Sequence, residues 1–198
     1  MKCGKPIQNE EQEYCYDCSR FEYAFEQGYS LWLHHQPVSG AIYQYKFHNK
    51  RCFAEVFAKE MVKKYGWAMK KWKVEAIIPV PLHKSKRRKR GYNQAEILAE
   101  KIAEEWQLKG LGNDIIVLKN VLCRVKKTKP QKTLDDFERQ RNLQGAFVVS
   151  KGWKPLKNVL VIDDIYTTGA TIQKIAKVLK NAGVENVYFL TISIGQGL

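Results

Sequence analysis

The chain has 198 residues, with 34 Lys or Arg against 20 Asp or Glu, for a formal net charge of +14. Its 44% hydrophobic content is enough to bury the core of one good-sized domain plus a small appendage, and no run of about 18 apolar residues marks a membrane span. An N-terminus without the apolar run of a signal peptide leads to the expectation of a cytoplasmic protein with no membrane insertion, and the charge favours polyanionic partners without choosing among them.

Residues 1–20 form a polar segment carrying Cys3, Cys15 and Cys18. Cys15-x-x-Cys18 is half of a zinc knuckle, and Cys3 opens a Cys-Gly-Lys-Pro turn of the same kind. Residues 21–72 are rich in aromatics, and within them Phe53, Val56, Phe57, Met61 and Tyr65 recur at helical spacing. Residues 73–198 form the third unit. It begins with a short apolar run, Val74 to Val80, bounded by proline and read as a buried strand.

A basic loop follows, in which Lys84, Lys86, Arg87, Arg88, Lys89 and Arg90 place six cations within seven residues. Asn93 and Glu96 then resemble a capping box opening a helix, with Ala95, Leu98, Ile102 and Trp106 on one face. One or two strands are expected between Asn113 and Val125, and residues 126–145 read as a polar, mobile loop. Three further strands, Ala146–Ser150, Asn158–Asp163 and Asn186–Ser193, enclose a helix with Ile172, Ile175, Ala176, Leu179 and Ala182, stopped by Gly183. Cys52 and Cys123 read as buried small apolar residues. His48 and His83 receive no role. Strands alternating with helices predict an α/β fold, a mostly parallel sheet with helices on its faces.

The stretch Val159–Thr171, Val-Leu-Val-Ile-Asp-Asp-Ile-Tyr-Thr-Thr-Gly-Ala-Thr, carries the most chemistry. In an open parallel sheet, ligands lie beyond the carboxyl ends of the strands, where Asp163 and Asp164 are expected. Thr167, Thr168, Gly169, Ala170 and Thr171 make a small-residue turn into a helix N-terminus, a place for a phosphate. A generic strand end followed by a capped helix would leave the adjacent acids unexplained.

This stretch resembles the signature by which type I phosphoribosyltransferases bind phosphoribosyl pyrophosphate (PRPP). The resemblance implies that Asp163 and Asp164 accept from ribose hydroxyls while Thr167–Thr171 hold the 5′-phosphate. Together with Ile77–Ala99, Lys129–Phe147 and the cysteine-bearing N-terminus, it extends along nearly the whole chain to the ComF family. What that family implies is a phosphoribosyltransferase-like domain behind a small zinc-binding module, acting in the cytoplasmic steps of DNA uptake beside a helicase-type ATPase. Val80, Pro81 and Leu82, with Lys84, Arg87, Arg88 and Arg90, would lie near pyrophosphate, some of the cations instead meeting single-stranded DNA or solvent. Lys129, Gln131, Arg139 and Asn142 would belong to a loop closing over PRPP, or to an ordinary surface loop. Mg2+ would arrive on the phosphates.

Residues 21–72 would form a hood, with Tyr43, Lys46 and Phe47 near a base, core packing being the plainer role for the aromatics. The family's fourth cysteine would fall one position before Met1, which leads to the expectation that Met1 is an internal start; otherwise Zn2+ would rest on Cys3, Cys15 and Cys18, completed by water or by His34 or His35. The resemblance leaves open transfer with release of pyrophosphate, a non-catalytic adaptor that binds nucleic acid and, ranked last because no helix-turn-helix stands beside the sheet, a PRPP-sensing regulator.

Overall fold

The computed structural model describes residues 2–7, 11–126 and 145–195. A short helix α1 (Tyr16–Arg20) precedes β1 (Gln27–Leu33), α2 (Val38–Phe47) and α3 (Phe53–Lys71). Then come β2 (Ala76–Pro79), α4 (Lys84–Arg90), α5 (Gln94–Leu108), β3 (Ile116–Val117), β4 (Leu122–Arg124) and β5 (Phe147–Val149). The chain continues through β6 (Asn158–Tyr166), α6 (Ala170–Asn181) and β7 (Asn186–Ile194).

Five strands form one sheet in the order β1-β7-β6-β2-β3, and every pairing in it is parallel. The expected α/β architecture is therefore present. β4 and β5 make a separate antiparallel ladder. The apolar runs are explained by position: β2 is buried throughout, and β7 is buried from Phe189 to Ile194, because helices or loops cover both faces of the central strands.

Two cores lie on the two faces. One gathers Phe25, Val159, Val161, Ile175, Leu179 and Phe189, joining α6 and the N-terminal segment to the sheet. The other gathers Tyr45, Met61, Met69, Leu98, Ile102, Ile162 and Leu190, joining α2, α3 and α5 to it. α3 buries Phe57, Met61, Val62, Tyr65 and Met69 along one stripe, each contributing about 1.5–3 kcal/mol of transfer free energy. β1 can approach β7 because Gly28 has no side chain where the Phe189 ring lies.

Two strips differ from the sequence expectation. The basic loop is the helix α4, whose start is capped by His83 Nδ1 accepting from the Ser85 N–H at 3.2 Å and whose end is closed by Gly91 at φ +82°. The acids do not end their strand, since β6 continues to Tyr166, with Asp163 opposite Thr191 and Tyr166 opposite Ile194 in β7. Among the described residues no helix is long and apolar enough to cross a membrane.

Candidate functional site

Strand β2 pairs with β6 from Ala76 to Pro79, ending opposite Ile162. The Val80 N–H still donates to the Ile162 carbonyl at 2.9 Å, and the chain then turns away into α4. Asp163 and Asp164 follow immediately, at the carboxyl edge of the sheet on the side β2 has left. Asn93 caps α5 through its Oδ1, which accepts from the Ala95 N–H at 3.1 Å, while its Nδ2 donates to the Val80 carbonyl at 3.0 Å. The segment Val80–Leu82 and the start of α5 are thereby fixed beside the acids.

The two carboxylates have different surroundings. Asp164, 5% exposed, accepts from Lys46 Nζ at 2.6 Å and from Gln94 Nε2 at 2.5 Å. Gln94 in turn accepts from Arg90 and, through its backbone carbonyl, from the Tyr45 hydroxyl at 2.6 Å. Asp163 Oδ1 accepts from the Asp164 N–H at 2.8 Å. Burial and then the neighbouring Asp164 charge push the Asp163 carboxyl up to about 7, against that N–H, Lys46 and Arg124.

Cations converge on this pair. Burial pushes the Arg124 guanidinium down and Asp163 opposes the shift. The Lys86 ammonium is pushed down by desolvation and by Arg124, Arg90 and Lys46, with Asp164 opposing. Lys46 holds Asp164 directly, Arg90 is linked to it through Gln94, and the charges of Lys86 and Arg124 interact with the pair, a local excess of positive charge suited to a multiply charged anion. Arg87 pairs with Glu96 at 2.6 Å, and the Arg90 guanidinium lies over the Phe47 ring at 5.0 Å. Lys84, Arg88 and Lys89 are exposed.

Beyond Tyr166, Thr167 and Thr168 lead to Gly169, which caps α6 at φ +77° and packs against the Tyr166 hydroxyl. Only glycine takes that backbone geometry without strain and leaves room for the phenol. The turn therefore presents the first N–H groups of α6, which have no acceptor within the helix.

At the N-terminus, one sulfur of each of Cys3, Cys15 and Cys18 lies within 4.8 Å of the others, and the Cys3 and Cys15 sulfurs are 3.4 Å apart. Tetrahedral zinc with bonds of about 2.3 Å places sulfurs about 3.8 Å apart, so the cluster could hold a metal ion such as zinc. The Cys3 thiol is pulled down to about 6, first by the hydrogen bond from Cys18 and also by the Lys5 N–H, while Cys15 and Cys18 are pushed up. One thiolate stabilised by its neighbours is the donor a cation needs. Among the described residues the cluster contains neither His34 nor His35, and His34 Nδ1 pairs with Ser193 Oγ at 2.9 Å near the far end of β1.

No family model matches the chain. It is 33% identical over 190 residues to competence protein F of Haemophilus influenzae, covering 93% of this chain and 80% of that protein. The chain belongs to the ComF family. This ComF-family chain is also 26% identical over 187 residues to competence protein ComFC of Streptococcus pneumoniae, covering 93% and 77%. Its identity to the DNA utilization protein YhgH of Salmonella typhi is 29% over 154 residues, or 76% of this chain and 64% of that protein.

Within the ComF-family chain, the structure brings together Val80–Leu82, the acids, Arg90 and the start of α5. Lys129, Gln131, Arg139 and Asn142 lie outside the described residues. Lys46 holds Asp164, and Gln94 does more than open a helix. Arg124 was not anticipated at all; its only local signal is a cation in a short apolar strand. Tyr43 and Phe47, for which core packing was the plainer role, are 52% and 60% exposed. Cys52 and Cys123 are exposed too, contrary to their reading as buried, because one precedes the solvent-facing start of α3 and the other alternates outward on β4.

Proposed function

We propose that this chain binds a phosphoribosyl ligand of the PRPP type at the carboxyl edge of its sheet and serves the cytoplasmic handling of incoming DNA. The observation that carries the reading is the buried Asp164 held by Lys46 and, through Gln94, linked to Arg90, with Asp163 beside it, just before the Thr167–Thr171 turn. The turn takes the 5′-phosphate, the cations take pyrophosphate with its Mg2+, and the acids accept from the ribose hydroxyls. A carboxylate has about four lone-pair sites, so Asp164 can take a hydroxyl while keeping Lys46 and Gln94. The role in DNA handling is supported by relatives named for competence and DNA utilization.

If transfer follows binding, it is a displacement at ribose C1 with magnesium pyrophosphate leaving. Calorimetric titration with PRPP and Mg2+ tests binding. The native chain is expected to bind, and an Asp163→Asn, Asp164→Asn double variant to bind at least tenfold more weakly, since charged hydrogen bonds contribute about 1.5–3 kcal/mol each. Absence of heat with the native chain overturns the reading. Pyrophosphate release across candidate bases then separates binding from catalysis.

A second reading, a nucleic-acid-binding adaptor for a helicase-type ATPase, is favoured by Lys84, Arg88 and Lys89, which project from α4 without an ion pair to any described carboxylate. It requires single-stranded DNA binding that weakens steeply with salt, with a shallower slope after neutralising these three residues.

A further inference from the structure

The cysteine cluster and the Thr167–Thr171 turn are joined by a strap of three hydrogen bonds. Four to six residues beyond Cys18, the Tyr23 hydroxyl donates to the Thr168 carbonyl at 3.1 Å. The Ala24 N–H donates to Gln173 Oε1 at 2.6 Å, and Gln173 Nε2 donates to the Glu22 carbonyl at 3.2 Å. Gln173 stands in the first turn of α6, and its own N–H donates to the Gly169 carbonyl at 2.8 Å. Tyr23 stacks on Phe25 with centroids 4.9 Å apart, and Phe25 meets the edge of Tyr166, the ring beneath Gly169, at 6.5 Å. The other end of the strap is tied as well: Lys2 Nζ donates to the Tyr23 carbonyl at 2.8 Å, and the Lys2 carbonyl accepts from the Gly28 N–H at 2.9 Å.

This arrangement is costly unless residues 22–24 are held. The five-residue α1 buries none of its side chains and makes no side-chain cap, so it offers little stability of its own. What fixes its start is the meeting of Cys15 and Cys18 with Cys3, together with the Asp17 carboxylate, which accepts from Lys5 Nζ at 2.5 Å. A cation shared by the three sulfurs would remove most of the freedom of residues 15–24, and that freedom is what the strap must otherwise suppress.

We propose that metal occupancy of the cysteine cluster sets the order of the Thr167–Thr171 turn, with Tyr23 and Gln173 as the positioning residues that carry the effect. Where the turn is an anion site, as the proposed function has it, metal at one end and phosphate at the other favour each other's binding by the same factor. Tyr23 and Gln173 touch neither ligand. Their contribution is to hold the Thr168 carbonyl and the first turn of α6 so that the N–H groups point one way.

Hydrogen exchange of the full chain, with zinc, after removal of zinc by a chelator and after its return, tests this without any ligand at the turn. The amides of Ala24 and Gln173, which donate to the Gln173 side chain and the Gly169 carbonyl, are expected to exchange about tenfold faster without zinc, the scale of one or two lost hydrogen bonds, and to recover on its return. Amides of α3 should not change. A Tyr23→Phe, Gln173→Leu variant should still take up zinc, yet exchange at positions 24 and 173 should be fast and indifferent to it. Equal exchange at these two amides with and without zinc, or failure of the native chain to take up zinc, overturns the proposal. Titration with pyrophosphate separates the two readings. Zinc-dependent exchange without pyrophosphate binding upholds the coupling and removes the anion assignment.

Discussion

The Lys46 ammonium lies 2.6 Å from the Asp164 carboxylate, and both side chains are largely buried. Desolvating two charges is expensive, and their attraction offsets the cost only when the remaining lone pairs are also used, as Gln94 does here. Lys46→Met leaves a buried carboxylate without its counter-ion and is expected to cost about 3–5 kcal/mol. Urea denaturation measures the loss. Adding Asp164→Asn to Lys46→Met should recover a large part of it, and strict additivity of the two changes would show that the pair is not coupled.

Asp163 makes stability depend on pH in the opposite sense to a paired surface carboxylate. Its folded value is about 7 against an ordinary 3.8, so between these limits the native state binds more protons than the unfolded one. Stability contributed by the protonated form is complete at the acid end of that window and is lost as pH rises through about 7. Asp163→Asn should therefore raise the melting temperature more at pH 8 than at pH 5, by about 2–4 °C for each kcal/mol relieved. An equal shift at both values would contradict this.

Gly169 and Tyr166 should behave as a pair. Gly169→Ala places a side chain at φ +77° and against the Tyr166 hydroxyl, costing about 1–2 kcal/mol in backbone strain before the contact is counted. Among the described residues that hydroxyl is buried with no hydrogen-bond partner, so Tyr166→Phe is expected to be neutral or stabilising. Thermal melts of the two single variants and the double variant should show partial rescue by Tyr166→Phe.

Gly28→Ala drives a methyl group into the Phe189 ring at the β1–β7 contact. Overpacking of this kind costs about 1–3 kcal/mol, and the closeness of the ring places the expected loss at the upper end. Adding Phe189→Leu should restore part of the midpoint in chemical denaturation.

How much of this could be read beforehand follows from range along the chain. The glycine turn and the Asn93 cap are local patterns and fell where their spacing said, while the acid pair lies two residues short of the end of β6. The partners of Asp164 are not local: Lys46 and Gln94 reach it from 118 and 70 positions away, and nothing in their own neighbourhoods announces it. Six cations within seven residues read as a basic loop, and no local pattern shows that Glu96 and Gln94 bind Arg87 and Arg90 alongside α4. β1 was missed because Gln27–Leu33 contains a glycine and no clean alternation, its pairing with β7 resting on the close approach that same glycine permits.

β1 lies at the edge of the sheet and pairs with β7, so residues 27–33 find their neighbour among residues 188–194. β1 must wait for β7, which is made more than 150 residues later. Until then, the cysteine segment that hangs from Gly28 has no seat, and the Phe25 ring lacks its partner Phe189. Such long-range closure is slow and is the stage at which exposed strand edges meet other chains. The cysteine segment is thus made well before β7 and seated only with it, which gives a nascent chain a long interval in which thiols are accessible before the fold encloses them.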